Sequence, residues 1–84
     1  MDKTKPQKSV IVYDQPFHDL QEQNWPPNGY IFVSLDSQKR CTPECWAVAI
    51  MRLTDHDDLT QRGLFWHKDD AVMFAEALLS EEVR

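Results

Sequence analysis

The run Cys45 to Thr54, CWAVAIMRLT, is apolar on both sides when read as a strand: Cys45, Ala47, Ala49, Met51 and Leu53 alternate with Trp46, Val48 and Ile50. A strand of that kind sits centrally in a sheet, covered on both faces or covered on one and offering the other to a partner. The tryptophan, the β-branched positions and the polar flanks favour strand over helix here. Any fold for this chain has to bury this segment, and 84 residues leave room for a single core in which to do so.

The neighbouring segments supply a sheet around it. Tyr30 to Asp36 alternates cleanly, with Ile31, Val33 and Leu35 on one face and Tyr30, Phe32, Ser34 and Asp36 on the other. Ser9 to Tyr13 is a β-branched run of strand length, and Leu64 to His67 reads as a short strand. Between the first two strands, Pro16 to Gln23 suits one or two helical turns with Phe17 and Leu20 inward, before the loop Asn24-Trp25-Pro26-Pro27-Asn28-Gly29. Polar connections at Ser37–Glu44 and Asp55–Gly63 link the later strands, as in an antiparallel meander. The last element is KDDAVMFAEALLSEE, where Ala71, Phe74, Ala75, Leu78 and Leu79 recur at helical spacing and Asp69 and Asp70 oppose the positive end of the helix dipole. The fold expected is a small α+β domain: an antiparallel sheet of three to four strands with one C-terminal helix packed on one face. Residues 1–8, with three lysines, form a flexible basic tail ahead of a single domain at 9–84.

Most chemistry is disfavoured by what the chain lacks. Two glycines, Gly29 and Gly63, cannot build a phosphate-cradling loop, and no nucleophile signature accompanies the cysteines or histidines. No catalytic residue and no cofactor are therefore assigned. Cys41 and Cys45 have the spacing of half a zinc site, but His18, His56 and His67 are scattered and four ligands are needed, so no metal is assigned either. A disulfide between the two is awkward if Cys45 is extended, because residues four apart along a strand lie roughly 13 Å apart and bridging needs less than about 7 Å. Packing, or a free loop thiol, is the expectation. The acidic loop Asp55-His56-Asp57-Asp58 fails the calcium-loop pattern, with Thr60 at its sixth place and Trp66 at its twelfth.

A net charge of −5 argues against a chain that grips phosphates, and residues 9–38 carry no Lys or Arg. Nucleic-acid readings persist as the alternative: an aromatic sheet face that stacks bases, or an acidic mimic built on Asp55, Asp57, Asp58, Asp69 and Asp70. Three Trp, two Tyr and four Phe are generous for this length, and such residues anchor protein interfaces. One helix leaves the second sheet face short of cover. Either residues 14–29 fold back over it, or it is a recognition surface centred on Trp25, Tyr30 and Phe32 with Asp57 and Asp58 on its rim. The second option makes the chain a protein-binding module, acting stoichiometrically as an inhibitor or adaptor on a protein partner, a large host complex included, or pairing with a second copy of itself.

The ending FWHKDDAVMFAEALL resembles the strand-then-helix close of many small bacterial domains. In size and acidity the chain is similar to small accessory proteins of phages and mobile elements, anti-CRISPR-type inhibitors among them. That likeness is one of class, implies a cytoplasmic protein-directed inhibitor, and carries over no motif residue. No apolar run is long enough to span a membrane.

Overall fold

The run at 46–51 does lie inside a sheet. In the computed structural model, which describes residues 8–38, 44–52 and 59–82, the strands are β1 (Ile11–Pro16), β2 (Ile31–Leu35), β3 (Trp46–Met51) and β4 (Leu59–Phe65), followed by α1 (Lys68–Glu82). They form one sheet in the order β1-β2-β3-β4. Strands β2, β3 and β4 are the expected antiparallel meander, with Phe32 opposite Ala49 and Ala49 opposite Gln61.

Strand β1 departs from the antiparallel expectation: it pairs with β2 in parallel, Ile11 beside Phe32 and Val12 beside Val33. Parallel neighbours need a crossover of roughly a dozen residues or more, and residues 17–30 supply it. Two 3₁₀ turns, Phe17–Asp19 and Glu22–Asn24, carry this crossover, which matches the helical turns expected after Pro16. It returns through Gly29, whose φ of +88° is open to glycine at no steric cost. The amide of Gly29 donates to the Met51 carbonyl at 2.6 Å, and the Met51 amide donates to Tyr30 at 2.9 Å, so the crossover is stitched to the end of β3.

The two faces of β3 are covered by different parts of the chain. Val48 and Ile50 join Ile31 and Val33 beneath α1, which contributes Ala71, Ala75 and Leu78, with Trp46, Phe65, Phe74 and Leu79 around them. Alanines at the contact let the helix axis come close to the sheet. On the other face Phe32, Ala49 and Met51 pack against Phe17, with Ile11, Tyr13, Leu20 and Trp25 closing round.

Strand β4 starts five residues earlier than its apolar run, at Leu59 rather than Leu64. It is an outer strand, so its polar residues Thr60, Gln61 and Arg62 need no cover, and periodicity alone misses them. A bulge between Val48 and Ala49 sets the register so that Gly63 faces Val48 and Gln61 faces Ala49, leaving Arg62 as the extra residue. At the same end of the sheet the Lys68 ammonium lies 5.5 Å from the centre of the Trp46 ring and 3.1 Å from Asp14 Oδ1, linking the start of α1 to β1. The tail expected over residues 1–8 lies outside the described residues apart from Lys8.

Candidate functional site

Phe32 is 1% exposed, so it belongs to the core and cannot serve as a recognition residue on the surface. Full burial of such a ring stabilises the fold by about 1.5–3 kcal/mol. It lies in an aromatic group with Phe17 at 5.3 Å and Tyr13 at 5.9 Å between ring centres. Trp25 is turned inward as well: its ring is 5.3 Å from Phe17, and its indole N–H is buried with no hydrogen-bond partner among the described residues. Pro26 is itself buried, and apolar contact with Phe17 draws the ring in. Tyr30 is half-buried where the crossover meets β3. Asp57 and Asp58, with Asp55, lie outside the described residues, and Asp69 and Asp70 are exposed in the first turn of α1.

The fold-back of residues 14–29 therefore covers this face, but only in part. Its cover ends at His18, whose backbone N–H donates to Ser37 Oγ at 3.3 Å. Beyond it, the small side chains of Ser34, Ala47 and Ala49 leave a groove of about 290 Å³, walled by Phe17 and Phe32 and rimmed by His18, Ser37, Gln38 and Gln61. The groove mixes apolar walls with polar side chains from Ser34, Ser37, Gln38 and Gln61. The His18–Ser37 bond uses the backbone of His18, so it does not set an imidazole against a nucleophile. The volume falls just below the range of roughly 300–1,000 Å³ usual for small-molecule sites, and suits one or two inserted side chains.

Across the ladder from Ala47 stands Leu64, 36% exposed, and two residues further on Trp66 is 59% exposed. These are the apolar groups that the sequence reading missed. The available signal was the triplet Leu64-Phe65-Trp66: only Phe65 can face the helix, because neighbours in a strand point to opposite faces. Met73 is also exposed, on α1.

Cys45 is buried at 1% exposure, as the packing expectation has it, but it is not a free thiol. It stands one residue ahead of β3 and is disulfide-bonded, against the expectation that a disulfide is awkward there. The chain has one other cysteine, Cys41, which lies outside the described residues. The sulfur of Cys45 is 3.8 Å from Asp36 Oδ2. Since a disulfide sulfur carries no proton, this is a contact and not a hydrogen bond in that state. Among the described residues, no group of three or more His, Cys, Asp or Glu is placed to hold a metal ion, and no helix is long and apolar enough to cross a membrane. No family model, curated protein or solved structure matches the chain.

Proposed function

We propose that the chain is a protein-binding module, a stoichiometric inhibitor or adaptor, whose contact surface is the corner of the sheet formed by Leu64, Trp66 and the adjoining groove. The observation that supports this is Trp66 at 59% exposure, two residues from Leu64, whose ladder partner Ala47 lines the groove. Tryptophan is among the residues that dominate interface energies. This moves the surface away from Trp25, Tyr30 and Phe32, toward the end of β4. In this reading the protein does no catalysis, and its partner is a protein of the host cell, met in the cytoplasm, as for accessory proteins of phages and mobile elements. A base-stacking sheet face loses its central ring with Phe32 in the core, so the nucleic-acid alternative ranks lower.

The test is capture of partners by the parent chain and by Trp66→Ala, Leu64→Ala and Met73→Ala, each checked for fold by circular dichroism. A protein held in one-to-one ratio by the parent should be lost, by about thirtyfold in affinity, with Trp66→Ala, matching the roughly 2 kcal/mol of an interface anchor. Met73→Ala should bind as the parent does. Equal retention by Trp66→Ala and the parent overturns the assignment.

A further inference from the structure

Residues 27–30 form a turn closed by the Tyr30 amide, which donates to the Pro27 carbonyl at 3.0 Å. Gly29 stands at its third place with a φ of +88°, the geometry of a type II turn. Pro27, Asn28 and Gly29 are exposed. Asn28 is therefore an asparagine in water followed by glycine. That pairing leaves the following backbone nitrogen least hindered in reaching the side-chain amide, because glycine carries no Cβ. Asn24, the other asparagine in the chain, is followed by the bulky Trp25. In the folded turn the Gly29 nitrogen is engaged, since its N–H donates to the Met51 carbonyl at 2.6 Å while the Met51 amide donates back to Tyr30 at 2.9 Å. To reach Asn28 Cγ the nitrogen must leave that carbonyl and give up its proton. Any further hold on Asn28 in the folded turn acts in the same direction.

We propose that Asn28 is a deamidation site gated by the tie between the crossover and β3, and that its modification frees the crossover one way. When the turn opens, the Gly29 nitrogen loses its proton to water and attacks Asn28 Cγ. The N–Cγ bond forms, the bond from Cγ to Nδ2 breaks, and Nδ2 leaves as ammonia with a proton returned from water. Water then opens the cyclic imide. Attack at Cγ restores the ordinary backbone with aspartate in place of Asn28. Attack at the main-chain carbonyl carbon routes the chain through the side chain, as isoaspartate. The balance is one water taken up and one ammonia lost, with no change of oxidation state. The isoaspartyl link puts one extra carbon into the backbone of the turn. The Pro27–Tyr30 bond and the paired bonds to Met51 are set for the normal length, and they cannot all close around a longer one. Phe17 and Trp25 then lose the anchor of the segment that packs them on Phe32 and Met51.

The experiment incubates the full chain at mildly alkaline pH, folded and in urea. Mass spectrometry of the peptide that carries both asparagines records loss of ammonia and uptake of water. Asn28 should react about tenfold or more slowly in the folded chain than in the unfolded one, since only the open fraction reacts. Equal rates overturn the proposal. Phe17→Ala removes the ring packed against Trp25 and Phe32, and it should raise the folded-state rate at Asn28 about tenfold with the circular dichroism unchanged. A rate equal to the parent's overturns the proposal. Should Phe17→Ala not fold, urea below the unfolding transition of the parent takes its place. Asn28 should react faster there than without urea, and a rate that rises only with global unfolding overturns the gate. The isoaspartyl chain, separated by chromatography, should exchange the amides of residues 17–25 faster than Asn28→Asp, which keeps the backbone path. Equal exchange in the two overturns the release.

Discussion

At the residue scale, Gly63 shows how little slack the helix-covered face has. A Cβ built there would lie 2.7 Å from Phe65 Cε1 and 3.3 Å from Phe74 Cε2, and those two rings are themselves packed 5.2 Å apart. Neither ring can retreat without disturbing the other. Gly63→Ala should therefore destabilise the protein by about 1–3 kcal/mol, as overpacked sites do, read from the midpoint of urea unfolding. A midpoint equal to the parent's would mean that the ring pair yields freely. Tyr13 gives a pH-dependent counterpart. Its hydroxyl donates to the Asn24 carbonyl at 3.1 Å, and burial pushes its pKa above the usual tyrosine value of 10.0. The folded state then holds the phenol proton more tightly than the unfolded state. This contribution to stability is complete below pH 10 and declines as pH rises toward the folded pKa. Tyr13→Phe should flatten that part of the pH–stability curve, and an unchanged slope would show that other groups set it.

At the element scale, α1 was the most legible part of the chain, because Ala71, Phe74, Ala75, Leu78 and Leu79 repeat at the period of one helical face and the structure buries that face. Leu78→Ala should cost about 2–5 kcal/mol, the range for truncating a buried leucine, measured by thermal or urea unfolding. A parent-like transition would mean that the helix is not docked. The meander was equally legible from Val33, Val48 and their neighbours. The start of β4 was not, since an outer strand with Thr60, Gln61 and Arg62 carries no apolar alternation. Nor was the direction of β1. Orientation depends on the path of residues 17–30, and side-chain periodicity is the same for parallel and antiparallel pairing.

For the molecule as a whole, the sequence showed that one helix could cover only one face and that residues 14–29 were the available cover for the other. It did not show how far that cover would reach. Trp25 looked like a surface group in its loop, and Phe32 because it shares a strand face with Ser34 and Asp36, yet Phe17 gathers both into a second cluster. Among the described residues, what the crossover leaves open lies toward β4, where the small residues Ser34, Ala47 and Ala49 form the groove floor. Small side chains carry almost no hydrophobic signal of their own, so the groove had none to read. Cys45 is buried as its apolar surroundings imply, and only its disulfide departs from a reading that counts it as part of the strand, one residue ahead of β3.

The parallel pairing of β1 has a kinetic consequence. The strands β2 to β4 pair antiparallel with their neighbours in sequence and share one core with α1, whereas β1 reaches β2 only after the whole of 17–30 has closed. Contacts that depend on such a closure form late and open early. Native-state hydrogen exchange should accordingly resolve two cooperative units, with the amides of β1 and residues 17–25 exchanging through an opening smaller than global unfolding and those of β3 exchanging only through the latter. Uniform exchange across all four strands would instead describe a single unit. In the partly open species Phe32, Ala49 and Met51 would meet water on a sheet that is otherwise intact. That species, and not the unfolded chain, is the one from which this protein would begin to aggregate.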